Sequence, residues 1–368
     1  MASDIEKSLI EVLTQHQAYL YRASSQSVNE LLTVFNDESA LMLTKLRDLL
    51  DELNDSEKLA LAGGQYTTTN LKEIRDLISL WFVAINTALP EVFAVSATAM
   101  AVYEANYTVK LYGGKTKKPN GQKLYSAAKK VPLVGGALVD DLLSKIAESA
   151  RLKVEYAIRD GISSGKTNQE IVQRIRGTKR LNYEDGLLTS TKSDIDQTVR
   201  TLRNHVANQT YLDTFKQLGF EYVRFVSVLD GRTTKLCASL DGTVWRIDDP
   251  AKRVPPLHRN CRSILVAVDK DGLLVGERPF VMDERPVKDI PKAERSQLIG
   301  QLDANTTFKE FFKKTDDFFQ KEWLGPKRFN LYKEGKFDFD KFFDPEGRTY
   351  TLNELEVFDN KLLKSKES

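Results

Sequence analysis

Residues 230–262 read DGRTTKLCASLDGTVWRIDDPAKRVPPLHRNCR, and this one stretch holds both cysteines of the chain and one of its three histidines. Cys237 stands a short hairpin away from an H-x-x-C pair, His258 and Cys261. The residues around them read as strands and turns. The run 222–229 (YVRFVSVL) alternates and is rich in β-branched and aromatic side chains, which predicts a strand entering a turn at Asp230-Gly231. Asp241-Gly242 is a tight-turn pair that tolerates left-handed backbone, and it leads into a short strand over 243–247. Pro255-Pro256 pushes the preceding residues out of the helical region and forces an extended approach to His258. A third strand, 263–268, ends at the turn 269–272. Three short strands are thus expected to hold Cys237, His258 and Cys261 on adjacent loops.

Several chemistries suit such a cluster. Two reduced thiols and an imidazole can simply pack a small lobe, since free cysteine behaves as a small buried hydrophobe. The same donors suit a structural zinc, where a closed site takes four ligands; Asp230, Asp241 or His205 are the candidates for the fourth. No other cofactor is expected. A Cys237–Cys261 disulfide is a third alternative and needs an oxidising compartment. An enzyme can also be drawn: His258 beside Asn260 and Cys261, with Asp230 and Asp241, as a metal-dependent nuclease of the zinc-clamped His-Asn type. A thiol nucleophile at Cys237 or Cys261 with His258 as base is equally drawable. The nuclease wants a second histidine or an acidic pair in the same lobe, whereas His16 and His205 lie far away in sequence. A non-catalytic role is therefore the expectation.

The spacing D-x-R-T-x-x-x-C-x-x-x-D-G (Asp230, Arg232, Thr233, Cys237, Asp241, Gly242) followed by P-P-x-H-x-N-C-R (Pro255, Pro256, His258, Asn260, Cys261, Arg262) resembles the signature of the phage Mu-type head morphogenesis family. These are the minor head proteins of tailed bacteriophages. In the family a second cysteine follows the R-T pair and another follows C-R; here Thr234 and Ser263 stand there, so the ligand set that the resemblance implies is incomplete. The likeness extends upstream. Residues 157–177 are similar to the family's helix, turn and second helix, with Thr167 and Glu170 forming a capping box. In 193–219, Ile195, Val199, Leu202 and Val206 mark an apolar helical stripe. Thr201, His205 and Asn208 share another face, within an R-T-x-x-x-H-x-x-N run from Arg200 that also resembles the family. His205 is expected as a polar contact beneath the cysteine lobe. Downstream, 318–355 resembles a segment often found after this motif: short helices stopped at Leu324-Gly325-Pro326 and again at 344–347, with a helix restarting at 352–357.

The expected fold is α+β and predominantly helical: a helical N-terminal half, a small β-containing lobe and a helical C-terminal tail. Within it, 1–112 reads as a helical domain, 113–123 (GGKTKKPNGQK) as a basic Gly-rich linker, 124–190 as the helical part of the Mu-type region, 191–290 as its α+β lobe and 291–368 as the helical tail. The first helix is read over 4–61, with Leu9, Val12, Leu13, Leu31, Leu32, Phe35 and Leu41 at helical spacings, and a break at Gly63-Gly64-Gln65. The next runs over 71–89. Around it, 77–103 is the most apolar region, interrupted by Pro90 and Glu91 into runs too short to cross a bilayer, so a buried core and no stable membrane span are expected. Met1–Lys7 lacks the basic start and apolar run of a signal peptide.

Lys and Arg number 54 against 52 Asp and Glu, and a net charge of +2 over 368 residues argues against a strongly basic DNA sleeve. Between 230 and 262, Arg232, Lys235, Arg246, Lys252, Arg253, Arg259 and Arg262 outnumber four aspartates. Lys252, Arg253 and Arg259 are the candidates for contacts to phage genomic DNA. The resemblance implies a low-copy component of the virion, in the capsid interior near the portal, present in the host cytoplasm during assembly. It also implies portal protein and major capsid or scaffold protein as partners, and roles in DNA packaging and genome ejection. The amphipathic helices of the N-terminal half are the expected docking surface.

Overall fold

The computed structural model describes the backbone of residues 9–344 and 347–358, and the side chains from His16 onward apart from those of 17, 18 and 21. Met1–Lys7, the side chains of Leu9, Val12 and Leu13, and Pro345-Glu346 of the second expected stop lie outside the described residues. The fold is α+β and predominantly helical. Among the described residues seven α-helices come first: α1 (Leu9–Asp51), α2 (Asp55–Ala62), α3 (Thr69–Tyr112), α4 (Gly121–Lys129), α5 (Val139–Ser163), α6 (Asn168–Arg176) and α7 (Leu187–Leu218).

Two helix boundaries differ from the expectation, each for a local reason. The single helix expected through Leu61 is broken after Asp51, because Asn54 accepts from the Glu57 N–H while the Glu57 side chain returns to the Asn54 N–H, a full capping box. Conversely, α3 does not stop at Pro90 but runs on to Tyr112 from its Thr68 cap. Proline removes one backbone bond at a cost of about 3 kcal/mol or more. Here Ile85, Leu89, Phe93 and Ala97 carry one buried stripe across it, so tertiary packing outweighs the breaker. Among the described residues α3 is the one helix long and apolar enough to cross a membrane, and its inward face is packed in the bundle core. The capping box at Thr167 and Glu170 forms as expected and starts α6.

A single buried core runs through α1, α3, α5 and α7 and on into the first sheet, including Phe35, Leu46, Ile78, Phe93, Val154, Val199, Val206, Val223 and Val266. The boundary read at 112 coincides with the end of α3, and that at 190 falls in the first turn of α7. The stripe Ile195, Val199, Leu202 and Val206 is buried as its spacing predicts.

The lobe after α7 has two small sheets. β1 (Tyr222–Val226) lies between β3 (Val244–Arg246) and β4 (Ile264–Val268), antiparallel to both, with Tyr222 opposite Arg246 and Val268. This is the expected three-strand set, except that the run 222–229 ends at Val226. Its last residues form β2 (Leu229–Asp230), which crosses to a second sheet in the order β2-β5-β6, with β5 at Glu277–Val281 and β6 at Ile299–Asp303. β6 follows α9 (Lys292–Leu298) and pairs antiparallel to β5, so the tail expected to be all helical contributes a strand. Beyond it, α10 (Phe308–Lys314), α11 (Asp317–Leu324) and α12 (Pro326–Lys333) surround an aromatic cluster of Phe308, Phe311, Phe312, Phe319, Trp323, Phe339 and Phe342. The predicted stop is present: Gly325 takes φ 83° and Pro326 opens the next helix.

Candidate functional site

Cys237 does not sit in a hairpin loop. Thr234 accepts from the Cys237 N–H and caps a short helix, α8 (Lys235–Leu240), whose inward side carries the thiol. The D-x-R-T turn therefore ends in an N-cap, which the strand-based expectation missed although Thr two residues after arginine is a usable cap signal. His258 and Cys261 arrive from the segment between β3 and β4, entered through a cis Pro255-Pro256 bond.

The three side chains converge. Cys237 Sγ lies 3.2 Å from His258 Nε2 and 3.7 Å from Cys261 Sγ, and all three donor atoms lie within 4.8 Å of one another. Both thiols are buried and not joined in a disulfide. The hydroxyls of Ser263 and Thr234 pull the Cys237 thiol down, against the larger effects that raise it. These are the two positions where the resemblance implies further cysteines. Cys261 is pulled well below the ordinary thiol range, first by the hydrogen bond from Cys237 and then by His258 against the opposing effect of burial. Cys237 is pushed up by its bond to Cys261 and by burial. Burial draws His258 down, but the bond and charge of Cys261 and the Arg259 carbonyl more than offset it, leaving the imidazole raised. His258 Nδ1 is 2.8 Å from that carbonyl.

The donor set fits zinc. Two soft sulfurs and an imidazole nitrogen are available, and sulfurs about 2.3 Å from a tetrahedral ion stand about 3.8 Å apart, close to the 3.7 Å found here.

The residues expected as a fourth ligand are engaged elsewhere. Asp230, on β2, accepts both arms of Arg262 at 2.6 and 2.7 Å and is also bonded by Arg232 and Thr233. Burial alone would raise its carboxyl, but Arg262 and Arg232 hold it below the usual carboxylate range. Asp241 receives Arg278, the Ser227 N–H at 2.7 Å and the Phe308 N–H at 2.6 Å. His205 is bonded to α4 and not to the cysteines: its Nε2 meets the Ala128 carbonyl at 3.0 Å, and burial lowers its pKa. Thr201 and Asn208 on the same face of α7 do reach the lobe.

The rest of the motif wires the lobe to α7 and the tail. Thr201 Oγ1 accepts from the Asn260 N–H, Asn208 Oδ1 accepts from the Leu265 N–H of β4, and Asn204 donates to the Cys261 carbonyl. Arg200 bonds Asp196 and Ser25. Thr233 Oγ1 donates to the Val228 carbonyl, and its own carbonyl receives Trp323 Nε1 at 2.9 Å. Gly242 takes φ 88° at the β3 turn, where a Cβ would stand 2.8 Å from Thr307. Of the residues expected to touch DNA, Lys252 and Arg253 line a groove beside α4, whereas Arg259 lies apart and pairs with Asp194 at 3.5 Å. Arg278, Asn204 and Trp323 were not singled out from the sequence. Arg278 sits in ERPFV, where nothing distinguishes a buried arginine from an exposed one.

Residues 152–266 match a family of proteins described as phage Mu protein F like. No curated protein and no solved structure matches the chain.

Proposed function

We propose that this chain, whose residues 152–266 match the phage Mu protein F-like family, is a minor head protein carried in low copy inside the capsid beside the portal. The family match supports a phage head protein associated with the virion; its place near the portal, its partners and its part in packaging or ejection are the further reading. One observation carries that reading: the polar residues of the motif are spent on joining the lobe to α7 and to the aromatic tail, the work of a structural part. His258 has one ring nitrogen at a backbone carbonyl and the other at a thiol, and both nearby aspartates hold arginines, so the lobe lacks a free base beside an open acidic pair.

Zinc held by Cys237, Cys261 and His258 would tie α8 to the segment before β4 and add stability rather than chemistry. The exposed side of the α1–α3 bundle, where Leu41, Leu80, Val83 and Val95 face outward, is the surface for portal or capsid partners. The test is quantitative mass spectrometry of purified heads. A few copies per portal ring is the expected result, together with co-purification of the chain with portal protein; heads that lack the chain altogether would overturn the proposal.

A further inference from the structure

The two basic segments of the chain lie far apart in sequence, yet they meet across one open groove of about 1070 Å³. The loop after α3 and the start of α4 bring Lys115, Lys117, Lys118 and Lys123; α7 brings Lys216; the segment before Pro255-Pro256 brings Lys252 and Arg253. Asp213 is the single carboxylate lining the groove, and it is engaged by Gln217 at 2.7 Å. This one groove therefore holds more positive charge than the +2 the whole chain carries net, so the rest of the molecule is acidic on balance. Among the described residues none of these seven cations forms an ion pair, although surface lysines elsewhere do, such as Lys129 with Asp140 and Lys333 with Asp317.

From this concentration of unpaired charge we propose that the groove binds the phosphate backbone of double-stranded DNA without regard to sequence. Like charges gathered in one concave surface repel one another unless a polyanion neutralises them. The electrostatics agree: Lys252 is lowered first by burial and then by the charge of Lys216, against the opposing charges of Asp249 and Asp248. The lining also selects among polyanions. It has aliphatic residues such as Leu124, Val131 and Leu133 and no Phe, Tyr or Trp, and its one aromatic ring, the buried His205, is held at the Ala128 carbonyl, so unpaired bases would find nothing to stack on, and the contact is to a backbone. Glycines at 113 and 114, with φ of 73° and 98°, let the lysine loop follow a strand.

The proposal deepens the reading of the chain as a head protein, because the packaged genome is the duplex at hand, but its test is independent of assembly. Binding of the purified full chain to a random-sequence duplex is followed by fluorescence anisotropy over a range of salt. Affinity should fall steeply with salt, and Lys117→Glu/Lys118→Glu and, separately, Lys115→Glu/Lys216→Glu should each weaken binding at least tenfold. Two lost phosphate contacts should lower the slope of log K on log salt by about two. Lys45→Glu/Lys72→Glu, on exposed positions of the bundle, should change neither. Thermal melts matching the parent show that the reversed chains fold. Equal binding by the groove variants, a flat salt response, or polyglutamate bound as tightly as duplex at the same salt would each overturn the proposal. Failure here leaves the presence of the chain in heads untouched, and absence from heads leaves this binding untouched.

Discussion

The helical bundle and the α+β lobe are held together by different kinds of interaction. The bundle core is mostly aliphatic, with Leu31, Leu46, Ile74, Ile85, Leu143 and Val154 among its buried residues. Such a core depends on volume and pattern, and many sequences satisfy it. The bundle buries the carboxylate of Glu104, met by His16 and Tyr211, whereas the lobe encloses whole ion pairs: Arg278 is 1% exposed and meets Asp241, Ser227 and Thr306, while Asp230 is clamped by Arg262. Buried ions demand specific partners, because an orphaned one is costly. The recognisable motif therefore falls in the lobe, and the residues that identify it are those whose hydrogen bonds cannot be exchanged.

The largest effect should come from the zinc proposed at Cys237, His258 and Cys261. A purified chain should carry about one equivalent of zinc by elemental analysis, and its removal by a chelator should unfold the lobe first, since structural zinc contributes on the order of 10 kcal/mol. Less than about half an equivalent would leave the cluster as packed thiols. Next, Asp241→Ala leaves Arg278 buried and unpaired and should cost about 3–5 kcal/mol in denaturant titration. A loss under about 1 kcal/mol would mean that water reaches the arginine. In the bundle, Leu31→Ala should cost about 2–4 kcal/mol through its cavity, whereas Ile85→Val should cost only about 1 kcal/mol. A lobe that tolerated Asp241→Ala better than the bundle tolerates Leu31→Ala would reverse the contrast. Smallest is the cap, where Asn54→Ala should lose about 1 kcal/mol and let α1 and α2 fray at their junction, read by hydrogen exchange.

Much of this was legible in the sequence because period-2 and helical spacings report burial directly. The strands 222–226, 244–246 and 264–268, the stripe along α7, and the convergence of Cys237, His258 and Cys261 follow from alternation, turn residues and proline. What escaped was decided by tertiary partners. Pro90 reads as a stop until the buried stripe on both sides of it is seen. His205 reads as a neighbour of the cysteines until its bond to the Ala128 carbonyl of α4 is seen. Asp230 and Asp241 read as free ligands because their arginines lie 32 and 37 residues away along the chain. The second sheet escaped because β2 is two residues long and β6 follows a helix without a turn signal.

The central claim is that the motif residues are the wiring of the lobe. Hydrogen exchange read segment by segment in Asp230→Asn tests it most directly, since that change keeps the shape of the side chain and removes its charge from the Arg262 clamp. Protection should fall across β2, α8 and 258–268 while α1, α3 and α5 keep theirs. Unchanged protection in the lobe, or a loss spread evenly over lobe and bundle, would contradict the account.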